Sequence, residues 1–144
     1  MRVSAKCSIA IHCLLFLHEY GEKQKVTSGL LALSTGCNPV VIRGIMSALN
    51  KAGIIRVTSG SGGAALLLPP DEITLYCVYM AVEENGLRNL IGLHPRPSTL
   101  CPVGRNIRTV LRKPYEIIQE DMRKSFQSVT LADFIAEYRK TGDG

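Results

Sequence analysis

No stretch of this sequence is both long enough and apolar enough to span a membrane as one helix. The most apolar segment near the start, residues 9–17, is broken by His12, and no small-residue cleavage site follows it. A core helix is expected there, and a cytoplasmic protein that makes no use of a membrane. Cys-x-x-Cys is also absent. The five cysteines (Cys7, Cys13, Cys37, Cys77 and Cys101) are odd in number and scattered, unlike a disulfide framework. Four of them lie in apolar patterns or at a turn, where cysteine acts as a small buried hydrophobe. Neither a phosphate-cradling loop nor a carboxylate pair is present, and no repeat or low-complexity segment interrupts the chain. Acidic residues are the scarcer charge. Twelve Asp and Glu face seventeen Lys and Arg, for a formal charge of +5 and a pI near 9.1. That balance favours a polyanionic partner, nucleic acid first.

What is present reads as one domain of 144 residues, 46% hydrophobic, with enough apolar side chains for a packed core. Ser4 is placed to cap a first helix running to about Tyr20, with Ile11, Leu14, Leu15 and Leu17 on its buried face and Gly21 ending it. Thr27 or Ser28 opens a short second helix that stops at Gly36. Asn38 then caps a third helix with Pro39 at its first position, where a missing N–H costs nothing. Its expected apolar stripe is Val41, Ile45, Ala48 and Leu49, with Val40, Arg43, Gly44, Ser47 and Asn50 facing elsewhere; Gly53 closes it. Strands are expected at 54–58 and 65–68 around a small-residue tip, SGSGG. Three helices followed by a hairpin is the order of a winged helix-turn-helix. Thr74 is a cap for a fourth helix with Leu75, Val78, Tyr79 and Val82 at helical spacing. After an irregular, proline-rich stretch over 85–102, a long helix is expected over about 104–126, interrupted and kinked at Pro114. Its stripe is Ile107, Val110, Leu111, Ile118 and Met122. Thr130-x-x-Asp133 resembles a capping box for a short last helix. Two units result: a winged helix-turn-helix over 1–84, and a loop, long helix and short helix over 85–144, forming one compact body with the first.

A helix that enters a major groove needs an N-terminal end free of bulky core anchors and lined by small or polar groups. Asn38, Pro39, Val40 and Arg43 meet that requirement. Asn38 can cap the helix or reach a base edge, Val40 can touch a thymine methyl, and Arg43 can grip a phosphate or a guanine. The free N–H groups of the helix end suit a phosphate. Lys51 and Arg56 flank the far end, and Lys6 opens the first helix. Asn-Pro is equally an ordinary cap, and a surface arginine is usually just solvated. The wing tip lacks bulk and charge, which fits close approach to a sugar-phosphate backbone as well as it fits a loose turn.

The segments MRVSAKCSIAIHCLLFL, GCNPVVIRGIMSALNKAGIIRVTSGSGGAALL, PPDEITLYCVYMAVE, HPRPSTLCPVGRNI and SVTLADF agree in order and spacing with one family. Through them nearly the whole chain resembles the Rrf-two family of bacterial winged-helix transcription regulators. This resemblance implies a mainly α fold with a β-hairpin wing and a homodimer in which the long helix crosses its partner. Two recognition helices would then enter successive major grooves, about 34–36 Å apart, of a roughly palindromic double-stranded site. The DNA-facing candidates are Lys6, Ser28, Asn38, Pro39, Val40, Arg43, Lys51 and Arg56, with Ser59, Ser61 and Gly62 in the wing. Ile107, Val110, Leu111, Ile118 and Met122 are the dimerisation candidates. Several relatives carry arginine where Ser59 stands here. Members that hold an iron–sulfur cluster have three cysteines in the loop before the long helix, and here that loop has only Cys101, with His94 nearby. One thiolate and one imidazole are too few for four ligands, so no cluster or other cofactor is expected.

Cys101 is the candidate sensor, with His94, Arg96 and Arg105 close in sequence. Positive neighbours and a helix N-terminus lower a thiol pKa, and oxidation there would add polar bulk where the two units join. Its alternative is a packed thiol in a turn that launches the helix. The packed thiol is the favoured reading of the two, and an unidentified small molecule or oxidant is the candidate signal if the protein senses one. No metal site is expected, because Cys7, His12, Cys13 and His18 share one helix without a closed tetrahedral spacing. The function expected is a sequence-specific DNA-binding regulator, a repressor, acting as a homodimer. The alternative is a winged-helix protein-interaction module with lost or weak DNA binding, which the uncharged wing would suit. A thiol enzyme on Cys101 and His94 lacks a third group to orient the histidine.

Overall fold

A computed structural model describes residues 4–58, 63–88 and 90–144. The sequence folds locally where its caps direct. The first helix, α1, spans Lys6–Tyr20, starting slightly inside the expected range. Ser4 still serves it, its hydroxyl accepting from the Lys6 backbone N–H at 3.2 Å. The second, α2, spans Ser28–Thr35; Thr27 Oγ1 accepts from the Leu30 N–H at 3.2 Å, and Gly36 at φ +66° closes it in the left-handed conformation that glycine adopts without a Cβ clash. The third, α3, spans Pro39–Lys51, and Asn38 Oδ1 accepts from the Val40 N–H at 2.8 Å.

The stripe of α3 differs from the expected one. Ile42, Ile45, Met46 and Leu49 are its buried residues, whereas Val41 is exposed and Ala48 half-buried. Spacings of three, one and three residues put these four on a single helical face. Val41 lies one position before that face and is rotated out of it by the helical pitch. The core that receives the stripe is one continuous cluster built on Leu14, Leu17, Leu31, Ile54, Ile73 and Val78. Each such aliphatic side chain contributes about 1.5–3 kcal/mol on burial.

The chain turns after α3 through Gly53, at φ +75°, into a hairpin. Strand β1 is Ile55–Thr58 and β2 is Gly63–Leu66, antiparallel, in the register Ile55↔Leu66 to Thr58↔Gly63. The returning strand thus starts two residues earlier than expected. The Ala64 N–H donates to the Val26 carbonyl at 3.0 Å, so β2 is anchored against the segment before α2 as well as against β1. Only glycine fits at its first position: a Cβ on Gly63, itself at φ +72°, would stand 2.9 Å from Lys25 Cγ and 3.0 Å from the Val26 carbonyl oxygen. The wing candidates Ser59, Ser61 and Gly62 lie outside the described residues.

A short turn of 3₁₀ helix, Pro70–Glu72, leads to α4, Leu75–Val82, where Thr74 Oγ1 accepts from the Cys77 N–H at 3.1 Å. The long helix α5 is Pro102–Ser128 and α6 is Leu131–Arg139. Pro114 does not interrupt α5, which continues for all 27 residues. Proline removes one hydrogen bond and crowds one turn, and about three turns or more of regular helix stand on either side of it. Thr130 and Asp133 form the expected capping box. Next to it, Leu75 N–H donates to Val129 O and Leu131 N–H to Ile73 O, both at 2.8 Å. This bridge holds α6 against the 3₁₀ turn and α1, with Leu131 and Ile135 in the common core. Helix α4 packs on α1, α3 and α5, and the Tyr79 and Phe126 rings meet edge to face at 5.2 Å.

Candidate nucleic-acid interface

Helices α2 and α3 meet at 115° across the three residues Gly36, Cys37 and Asn38. That angle belongs to a helix-turn-helix, whose helices cross at about 90–120°. With its core stripe turned inward, α3 presents Asn38, Pro39, Val40, Val41 and Arg43 outward, and Val40 is 65% exposed. The apolar side chains at the start of α3 are therefore left uncovered while the rest of the helix is anchored.

Two concavities flank this helix. One, of about 490 Å³, lies between the start of α2, α3 and the hairpin, and brings Ser28 and Arg43 together with Lys25, Ser47, Asn50 and Thr58. The other, of about 420 Å³, runs between α3 and α4 and brings Lys6 together with Val40, Val41 and Gly44. Lys51, Arg56, Asn38 and Pro39 are exposed but line neither hollow. Sequence reasoning did not single out Lys25, Ser47, Thr58 or Val41. Lys25 carried a usable signal, since it is a basic residue two positions before the Thr27 cap. Asn50 has a structural task as well, its Oδ1 accepting from the Val57 N–H at 3.3 Å.

Positive charge exceeds negative on this face, where Glu84 is the carboxylate that lines the hollow beside Lys6. Among the described residues the ion pairs are Arg123 with Glu120 and Lys140 with Glu137, on α5 and α6. Lys6, Lys25, Arg43, Lys51 and Arg56 have no carboxylate partner among those residues. A groove that exposes small apolar groups and cations without ion-pair partners suits a phosphate backbone flanked by base edges.

The candidate dimerisation face is equally uncovered. No residue of α5 is buried. Val110 is 62% exposed, Ile117 53% and Ile118 41%, while Ile107, Leu111 and Met122 are half-buried. Ile117 was not among the expected residues, although it continues the same seam at a spacing of seven from Val110.

Cys101 is the exposed residue just before α5. The backbone N–H groups of Gly104 and Val103 face its sulfur and hold its thiol below the ordinary cysteine range. No hydrogen bond joins it to His94, and Arg105 turns its guanidinium to the Thr99 carbonyl at 3.4 Å. Cys101 thus stands exposed at the start of α5 with no hydrogen bond to His94. Burial pushes the thiols of Cys7 and Cys13 in the opposite direction, each up to about 11. His12 shares a 2.8 Å hydrogen bond with Ser34 Oγ.

This arrangement defines the class: a winged helix-turn-helix domain, mainly α with a two-stranded wing, extended by a long C-terminal helix. The chain belongs to the Rrf2 family, whose model, described as an iron-dependent transcriptional regulator, matches residues 3–137. YwnA of Bacillus subtilis, named as an HTH-type transcriptional regulator, is 34% identical over 131 residues, which cover 91% of this chain and 95% of YwnA. A crystal structure of a protein described as DNA-binding is similar at 32% identity with a TM-score of 0.71, covering 90% of this chain and 98% of that one. A transcriptional regulator from Lactobacillus plantarum is similar at 28% identity with a TM-score of 0.79, over 94% and 90% of the two chains. The protein is therefore a transcriptional regulator of a DNA-binding family and not an enzyme. Among the described residues no single helix is long and apolar enough to cross a membrane.

The iron of the family description finds a poor donor set here. Among the described residues no three His, Cys, Asp or Glu side chains gather to hold an ion. The loop before α5 offers one thiol, at Cys101, and one imidazole, at His94, both exposed. An iron–sulfur cluster takes four protein ligands, typically thiolates, and this chain's loop does not fit one.

Proposed function

We propose that the protein is a sequence-specific DNA-binding repressor that acts as a homodimer without an iron–sulfur cluster. The observation that carries this reading is the start of α3, where Asn38, Pro39, Val40 and Arg43 stand clear of the core amid unpaired cations. Val40 and Val41 meet thymine methyl groups, Arg43 a guanine edge or a phosphate, and Lys6, Ser28, Lys51 and Arg56 the backbone on either side. The wing, with Ser59, Ser61 and Gly62, approaches a minor groove. Dimerisation through Val110, Ile117, Ile118 and their half-buried neighbours covers the apolar seam of α5. It sets two α3 helices about one turn of DNA apart, over a roughly palindromic operator. Repression follows when such a dimer occupies the site that polymerase needs. Cys101, exposed and acidified by the end of α5, is the position at which an oxidant would change that spacing.

The test is binding of the purified protein to the region upstream of its own gene at several salt concentrations. Affinity falls steeply with salt, and Arg43→Ala lowers both the affinity and the steepness, by about one counterion for each phosphate no longer neutralised. Equal binding by wild type and Arg43→Ala would remove α3 from the interface and favour the protein-interaction module.

A further inference from the structure

Away from the proposed DNA-facing surface, Arg88, residues 90–93 and α5 line an open hollow of about 330 Å³. Two sets of hydrogen bonds pin the chain here along α5. The Arg108 guanidinium donates to the Pro95 carbonyl at 2.7 Å, and Gln119 Nε2 donates to the Leu87 and Arg88 carbonyls at 2.8 and 2.6 Å. Those anchor points lie eleven residues apart on the helix, about 16 Å. Between them Leu90, Ile91 and Leu93 line the hollow opposite the helix.

The chemistry of its wall is specific. Arg88 and Arg112 line it, and neither makes a side-chain hydrogen bond or an ion pair among the described residues. Arg108 is a third guanidinium, partly engaged by Pro95. Glu116 is the carboxylate among the lining residues, so positive charge is in excess. The remaining wall is apolar: Ile91, Leu93 and Ile118 line it while 40%, 47% and 41% exposed, and Tyr115 adds a ring. Hollows of this size, with apolar walls and a few convergent polar groups, take small molecules. Two unpaired guanidiniums match a planar carboxylate. The neighbouring Glu116 favours a singly charged headgroup over a dianion such as phosphate, and the apolar wall asks for a hydrocarbon body.

We propose that this cavity is an effector site for a small organic carboxylate with an apolar body. The inference rests on the regulator reading and deepens it by naming the class of signal. Ile118 belongs both to this wall and to the apolar seam of α5. A ligand that presses on it acts on the dimer contact that spaces the two recognition helices. By linkage, operator DNA and the carboxylate then alter each other's affinity by the same factor.

The test uses the full-length protein with anilinonaphthalene sulfonate as a fluorescent probe, and octanoate, phenylacetate and inorganic phosphate as competitors. The wild type enhances the dye's emission, octanoate or phenylacetate displaces it, and phosphate does so far less well. The Arg88→Gln/Arg112→Gln double variant keeps its helical signal, its oligomeric mass and its ligand-free operator affinity, yet binds dye and carboxylate at least about tenfold more weakly. The proposal is overturned if the wild type binds no dye, if phosphate competes as well as octanoate, or if the double variant binds as tightly as wild type. It is also overturned if the double variant falls apart into monomers, because a second copy of the chain then fills the hollow. Operator binding measured on the same samples separates the two readings. A protein that binds dye and carboxylate but no DNA sinks the regulator assignment and leaves the cavity standing, and the converse result does the opposite.

Discussion

Asn38 has two tasks, and two substitutions separate them. Its Oδ1 accepts from the Val40 N–H at 2.8 Å, and Pro39 brings no N–H of its own, so Val40 is the first donor that the cap has to satisfy. Asn38→Ala leaves that donor to solvent and costs about 1 kcal/mol. For a chain of this size that lowers Tm by about 3–5 °C. Asn38→Asp keeps an equivalent acceptor and adds a negative charge that the helix end favours, so stability stays within about 0.5 kcal/mol of wild type. On DNA the same charge is unfavourable. A carboxylate about 7 Å from one phosphate, at an effective dielectric of about 40, loses about 1 kcal/mol. With a second phosphate within reach the operator affinity falls about tenfold or more. The salt dependence also becomes shallower by about one counterion. Thermal melts and gel-shift titrations at three salt concentrations read both effects on one preparation. If Asn38→Asp binds the operator like wild type and with the same salt slope, the N-terminal end of α3 does not face DNA.

Other expectations follow from the same geometry. Gly63→Ala forces a side chain into a left-handed conformation against the Val26 backbone and lowers stability by about 1–3 kcal/mol in urea melts. An unchanged midpoint would mean that β2 is not anchored at Val26. Leu49→Ala, fully buried on α3, costs about 2–5 kcal/mol by the same assay, whereas Val41→Ala costs less than about 1 kcal/mol. Equal losses would restore the stripe that places Val41 in the core. Val110→Glu with Ile117→Glu introduces charge on the exposed seam of α5, so light scattering shows monomers and operator binding collapses; an intact dimer would move the interface elsewhere. Thiolate is the reactive form of cysteine. Cys101, with its pKa lowered, is alkylated by iodoacetamide at pH 8 well before Cys7 and Cys13, whose neutral thiols persist up to about pH 11. Faster labelling of Cys13, followed by peptide mass, would contradict that order.

The caps were the most legible part of the sequence. Thr27, Asn38, Thr74 and the Thr130–Asp133 box each act within three residues of themselves, so local sequence suffices to place them. The stripe of α3 was less legible. Val40, Val41 and Ile42 are consecutive and similarly apolar, and only packing against the rest of the core decides which of them turns inward. The second strand was displaced for the same kind of reason, since its start is fixed by Val26, nearly forty residues earlier in the chain. Pro114 marked a break by local rules that a long regular helix overrode. Of the interface, Arg43 and Val40 could be read from their position after a cap. Lys25 and Val41 join it only because the hairpin and α4 fold back beside α3. The cavity beside α5 had no sequence signature, because it arises where residues 90–93 lie opposite a helix between two distant anchors.

The proposed pairing of two recognition helices is tested most directly by hydroxyl-radical footprinting of the wild-type protein on the DNA upstream of its gene. Two protected patches centred about one helical turn apart, roughly 10–10.5 base pairs, on the same side of the duplex are the expected result. Both should fade together when Val110 and Ile117 are replaced by glutamate. A single patch that survives those substitutions would show a monomer reading DNA alone, and α5 would not be the seam that pairs the recognition helices.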